Sequence, residues 1–390
     1  MTPPIYLDYN ATTPLDPGVR EAMRPFLEEV WGNPSSVHQV GRRARALLDD
    51  ARDRAASLLK CKPSEVIFTS GGTESASLAL CGTARLLQSK GRHLVTSAVE
   101  HDAVLHTCRY LARKEGFDLT VLPVDASGRV DPATLRQALR PDTILVSIMA
   151  ANNEIGTLQP VAELGAICRE HGVRFHTDAV QWFGKEPVAS VHQFNADLVS
   201  ICAHKFHGPK GAGALFIRSP LLPDPILFGG GQENERRAGT ENLAAIAGLV
   251  AAMERFVPDP VFSRSQLEPL GNRLKAMAGA MEGVHYVGAG ERGLANTVSF
   301  VVEGTDSIAL LAGLDLEGVC ASSGSACSAG SVEPSHVVAA LGYPPELANA
   351  LVRFSLGRET RPEDINHVLE VFPEVVTRAR PRPSRRDASD

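Results

Sequence analysis

The sequence predicts an α/β protein, with a mostly parallel sheet in a large domain and a smaller α+β domain after it. Three observations carry that expectation. Between about residues 65 and 220, short apolar runs rich in β-branched residues alternate with stretches whose apolar positions recur every three or four residues. Strands separated by sheet-covering helices build parallel sheets. Past Val257-Pro-Asp-Pro260 the rhythm changes, which marks a domain boundary. The chain of 390 residues, 44% of them hydrophobic, is long enough for two or three domains with a large core.

The strands follow in order. Residues 65–69, 93–97, 119–122, 143–149, 173–177, 198–201 and 214–218 are apolar, β-branched runs of strand length. Between them, residues 103–114 and 161–171 show helical spacing, and residues 244–256 form one more helix before the boundary. The later part carries helices and short strands such as 297–302. The expected division is a large domain of residues 14–257 and a small domain of residues 1–13 with 258–377. From Arg378 the chain offers almost no apolar surface against the entropy of ordering, so residues 378–390 are expected to be a disordered tail.

Charge and composition exclude several functions. A formal charge of −6 gives no basic footprint for nucleic acid. The N-terminus lacks the features of a secretory signal, and no run has the roughly 18 apolar residues of a membrane span, so a cytoplasmic protein is expected. The seven cysteines are scattered, without a Cys-x-x-Cys pair, and read as thiols. No His, Cys and acid cluster has zinc-like spacing, and no metal is expected.

Cys327 lies among small residues, Ala321-Ser-Ser-Gly-Ser-Ala-Cys-Ser-Ala-Gly-Ser331, and the segment of about residues 320–333 reads as a mobile loop carrying one thiol. A thiol attacks as its thiolate, and a loop can bring it to a site that favours that form. A plain surface turn would read the same way. A second constellation raises the chemical reading. Asp178 ends a predicted strand, at the carboxyl edge where α/β sheets present ligand-binding groups. Gln181 follows three residues on, and Lys205 follows the next strand. The strand-to-helix turn Thr69-Ser-Gly-Gly-Thr-Glu-Ser75 places backbone N–H groups near Gly72 and Thr73 where an anion is favoured, although a helix cap by Ser70 or Thr73 explains the turn as well. His101 lies after another strand, and Lys210 competes with Lys205 as a lysine near a turn. One cofactor accounts for the set. Pyridoxal phosphate needs a lysine, an acid at its pyridine nitrogen, a group over its ring and donors around its phosphate.

With these residues in view the chain resembles the cysteine desulfurases of the NifS/IscS type, within the class V aminotransferases. The resemblance runs from Tyr6-Leu-Asp-Tyr-Asn-Ala-Thr-Thr-Pro14 through Gly32-Asn-Pro-Ser-Ser36, Phe68-Thr-Ser-Gly-Gly-Thr-Glu-Ser75, Glu100-His101, Asn152-Asn-Glu-Ile-Gly156 and His204-Lys205 to Arg353-Phe-Ser-Leu-Gly-Arg358. Ser322-Ser-Gly-Ser-Ala-Cys327 marks the branch with the long cysteine loop. It implies a fold-type-I pyridoxal-phosphate enzyme. Lys205 would form the Schiff base and shuttle the proton, His101 would stack on the ring, Asp178 would face the pyridine nitrogen and Gln181 the phenolic oxygen. Thr73 and His204 would hold the phosphate, together with Thr240 from the second subunit of a homodimer. Asn152 and Arg353 would hold the substrate carboxylate. L-cysteine would give L-alanine, with its sulfur passed to Cys327 as a persulfide for an acceptor protein such as an iron–sulfur cluster scaffold. Two departures stand out: Cys202 at a phosphate-contacting position where the family commonly has Ser, and Ser77 where it commonly has Asn. The competing readings are another fold-type-I enzyme, an aminotransferase or a lyase acting on selenocysteine, and an inactive scaffold protein of the same fold.

Overall fold

The computed structural model of the chain describes residues 3–324 and 334–380. A short strand, β1 (Ile5–Tyr6), precedes the main sheet. That sheet is built from β2 (Val66–Thr69), β3 (His93–Ser97), β4 (Asp118–Leu122), β5 (Thr143–Ser147), β6 (Arg174–Asp178), β7 (Leu198–Cys202) and β8 (Gly213–Ile217). Their spatial order is β2-β8-β7-β6-β5-β3-β4. Pairings from β4 through β7 are parallel, and β8 alone runs against its neighbours. The reading of a mostly parallel sheet is correct, and most strands fall within a residue or two of their expected ends.

The apolar runs are continuous, not alternating, because both faces of the sheet are covered. Every residue of β3, β5, β7 and β8 is buried. On one face Leu249, Val250 and Met253 of the helix Leu243–Phe256 share a core with Phe175, Val199 and Phe216. On the other, Leu80 and Leu111 pack with Leu94, Leu145 and Leu215.

Three more strands, β9 (Val284–Val287), β10 (Thr297–Val302) and β12 (Leu351–Ser355), form an antiparallel sheet in the order β12-β10-β9. It has its own core, in which Phe300, Phe354 and Phe372 stack with centroids about 6 Å apart. Leu7 from the N-terminus joins that core, and β1 pairs in parallel with β11 (Val319–Cys320).

One expectation is corrected at the C-terminus. Arg378 and Ala379 belong to the helix Pro362–Ala379, because Arg378 pairs with Glu317, and Arg380 after it donates to the Glu282 carbonyl at 2.6 Å. Polar partners supply what apolar surface does not. The rest of the expected tail lies outside the described residues, as do most of the expected cysteine loop and Cys327 itself. The six cysteines within the described residues are free thiols. No described helix is long and apolar enough to cross a membrane.

Candidate active site

β2, β6 and β7 point the same way, so Thr69, Asp178 and Cys202 finish at one edge of the sheet. Ligands bind along such edges. A cavity of about 190 Å³ opens there. It brings together Gly72, Thr73, His101, Asp178, Gln181, Cys202, His204, Lys205 and Arg353 from the positions singled out in the sequence, and adds Asn10, Ala11, Asn153 and Val180 among others.

Lys205 follows β7, and its Nζ donates to the carbonyls of Asn10 and Ala11, each at 2.8 Å. Burial pushes its pKa down, aided by Arg353 and opposed by Cys202, Asp178 and Asp8. A lysine so placed can lose its proton and act as a base. Lys210 is exposed and stands off the cavity. Asp178 is 7% exposed. Burial raises its pKa, against the charge of His101, the Val180 N–H at 2.9 Å and Lys205. No ion pair to Asp178 occurs among the described residues. A carboxyl in that position is suited to a cationic N–H such as a pyridinium. His101 caps the helix Asp102–Glu115, its Nδ1 accepting from Ala103 N at 3.1 Å.

One side of the cavity is a turn. Gly71 has φ 154° and ψ −173°, a region open essentially to glycine. No side-chain hydrogen bond from Ser70 or Thr73 caps the helix that begins at Gly72. The uncapped N–H groups are the donors an anion needs. His204 has its pKa lowered to about 4, by burial first and then by Lys205, Lys210 and Lys185, so the ring is neutral at neutral pH. The ring's Nδ1 shares a hydrogen bond with the Thr12 hydroxyl at 3.1 Å, and in the tautomer in which Nδ1 accepts, Nε2 carries the ring proton as a donor. Cys202 is buried, and its thiol pKa is raised by burial against the backbone N–H groups of Gly72 and His204.

The remaining positions are placed differently. Asn152 lies behind the cavity wall: its Nδ2 donates to Val99 O at 2.8 Å, and its Oδ1 accepts from Glu154 N and Ile155 N. Asn153, not Asn152, lines the cavity. Arg353 is almost wholly buried, pairs with Asp8 at 2.7 Å and donates to the carbonyls of Asn153 and Gly324, while its Nε has no partner among the described residues. Thr240 is off this cavity and lines another with Ser70 and Arg237. Gly324 and Ser335 flank the segment that carries Cys327. The first is held by Arg353, and the second donates to Glu154 Oε2 at 2.6 Å.

Sequence reasoning missed Asn10, whose carbonyl accepts from both Lys205 and Gln181, and Lys185, which donates to Asn10 Oδ1 and Gln181 Oε1. A single polar residue after a two-residue strand has no periodic signal. The quoted stretch Tyr6 to Pro14 was the one hint.

Residues 5–368 match the aminotransferase class-V family, and the chain belongs to it. It is 48% identical to the cysteine desulfurase IscS of Dictyoglomus turgidum over 377 residues, which cover 96% of this chain and 95% of that protein. Among solved structures it is similar to a NifS-like protein, with a TM-score of 0.88 and 35% identity over 96% of this chain and 99% of that one. It is also similar to SspA in complex with cysteine, with a TM-score of 0.80 and 35% identity over 92% of this chain and all of that one. The chain is a fold-type-I enzyme whose cofactor is pyridoxal phosphate.

Proposed function

We infer that this chain is a cysteine desulfurase, which converts L-cysteine to L-alanine and takes the sulfur onto Cys327 as a persulfide. One observation carries the reading. A single cavity at the sheet edge gathers Lys205, Asp178, His101 and the uncapped Gly72 turn, and its wall residue Arg353 holds Gly324, three positions before Cys327.

Gly72, Thr73, Cys202 and His204 suit the phosphate of the cofactor, Asp178 its pyridine nitrogen, Gln181 its phenolic oxygen and His101 its ring. Bound there, pyridoxal phosphate supplies the electron sink that makes the substrate Cα proton removable and its sulfur electrophilic. Lys205 Nζ, kept in reach of neutrality by burial, takes the Cα proton and hands it on. Arg353, which lines the cavity, would hold the substrate carboxylate through its guanidinium. Cys327 attacks the substrate sulfur as thiolate. A sulfur–sulfur bond forms, the Cβ–S bond breaks with its electron pair left on carbon, and protonation of that carbon completes alanine.

The finer points belong to the same proposal. Thr240 would reach the phosphate of a second subunit in a homodimer, and Asn152 would serve the substrate carboxylate through the wall it braces. The persulfide would pass to an acceptor protein by thiol exchange, in the cytoplasm. The chain would divide into a large domain of residues 14–257 and a small one of residues 1–13 and from 258 to the end of the helix at Ala379. Incubating the purified protein with L-cysteine tests the central reading. Alanine and a protein-bound extra sulfur are expected in equal amounts in a single turnover without reductant. Formation of a 2-oxo acid in place of alanine would make it an aminotransferase.

A further inference from the structure

Lys185 has no part in the reaction above, yet it is buried beside the cavity at 4% exposure and pairs with no carboxylate among the described residues. Burying a lysine without an acid is costly, so its position calls for a reason. Its Nζ donates to Asn10 Oδ1 at 2.6 Å and to Gln181 Oε1. Burial, with Lys205 and Arg353 nearby, pushes its pKa well down. Charged or neutral, it presents N–H bonds to those two oxygens.

The consequence falls on the two amides. A carboxamide can turn end for end and offer either a donor or an acceptor. Because Lys185 donates, Gln181 must turn its oxygen toward it. The nitrogen end then faces the other way, giving one N–H to Asn10 O at 2.9 Å and leaving the second for the cavity that Gln181 lines. Asn10 is fixed likewise. Its Oδ1 accepts from Lys185 and Asn296, and its Nδ2 donates to Asn153 O and Thr297 Oγ1. Its carbonyl, held in place, receives Lys205 Nζ.

We propose that Lys185 is a positioning residue for the cofactor: it holds Gln181 with its N–H toward the cavity, so that the wall offers a donor to the phenolic oxygen. The inference rests on the assignment of Gln181 to that oxygen. A hydrophobic residue in place of Lys185 would pack without the buried charge but would leave the Asn10 carbonyl alone to orient the amide.

The test compares Lys185→Met, Gln181→Ala and the double variant with the wild-type holoenzyme. Two readouts are used besides turnover: the dissociation constant of pyridoxal phosphate, and the pH at which its bound visible absorbance titrates. Lys185→Met is expected to weaken retention by roughly tenfold, the scale of one hydrogen bond to a charged group, and to move the titration to higher pH because the phenolate loses its donor. The double variant should equal Gln181→Ala, since Lys185 acts through Gln181. If Gln181→Ala shifts both readouts and Lys185→Met shifts neither, the inference is overturned and the assignment of Gln181 stands. If Gln181→Ala also leaves both unchanged, the assignment and the inference fall together. Additive effects in the double variant would likewise overturn it. Should Lys185→Met not fold, Lys185→Gln, which keeps a donor, is measured in its place. Its retention is expected between wild type and Gln181→Ala, and a value no better than Gln181→Ala contradicts the proposal.

Discussion

Cys202 shows how much a single atom matters at the turn proposed to hold the phosphate. Its Sγ is buried with the Ala212 carbonyl at 3.9 Å, and a Cβ on Gly71 would stand 3.8 Å from it. A thiol is a weak donor where a serine hydroxyl is a good one. Cys202→Ser is therefore expected to retain pyridoxal phosphate more tightly, by about tenfold or more, since a hydrogen bond to a charged group contributes roughly 1.5–3 kcal/mol. Equilibrium dialysis of the two proteins decides it, and unchanged or weaker retention would mean that this thiol only packs. Gly71 is the complementary case. At φ 154° a side chain is strained, and Gly71→Ala is expected to cost on the order of 1–3 kcal/mol of stability and to loosen the cofactor. Thermal unfolding with and without cofactor reads both effects. Wild-type behaviour in both would remove the special role of the turn. These residues were legible in the sequence because glycines in a strand-to-helix turn and residues just past an apolar run have a fixed place. Asn10 and Lys185 were not, since their importance arises from contact between residues 175 positions apart.

At the scale of the element, β6 is tied to both its neighbours through a buried imidazole. His176 bonds to Ser147 of β5 at 2.8 Å and to Ser200 of β7 at 2.9 Å. Burial lowers its pKa from 6.5 to about 3. The unfolded chain thus binds this proton first, so the contribution of His176 is complete above about pH 6.5 and is lost as pH falls toward 3. Glu100, after β3, acts in the opposite sense. Burial raises its pKa from 4.5 to about 8, so its contribution is complete below about pH 4.5 and is lost as pH rises toward 8. Glu100→Gln should gain stability relative to wild type across that rise, by an amount on the order of a few kcal/mol. Urea unfolding at a series of pH values measures it, and a difference that stayed constant with pH would refute the buried, protonated Glu100. Strand positions were readable because most strands carry short apolar, β-branched runs between turn signals. The buried polar residues inside those runs, His176 among them, carry no periodicity that announces a cross-strand bond.

For the whole molecule, the mostly parallel sheet followed from the alternation of runs, and the second core followed from the change of rhythm after Pro260. The joining of Leu7 to that core and the placing of Arg353 against Asp8 depend on contacts between opposite ends of the chain, which local patterns do not reveal. The proposed homodimer gives a complementation test. Mixed chains of Lys205→Ala and Thr240→Ala should regain part of the activity, because one site of the mixed dimer then holds an intact Lys205 and an intact partner Thr240. Failure of a well-mixed heterodimer to exceed either parent would count against a shared site. The central claim is that sulfur leaves cysteine for Cys327, and its most direct measurement is mass spectrometry of wild type and Cys327→Ser after incubation with L-cysteine. The account predicts one extra sulfur on the Cys327 peptide of the wild type, and in Cys327→Ser a bound cofactor with neither persulfide nor alanine. A Cys327→Ser protein that still formed alanine at the wild-type rate, or an extra sulfur found on another cysteine, would contradict it.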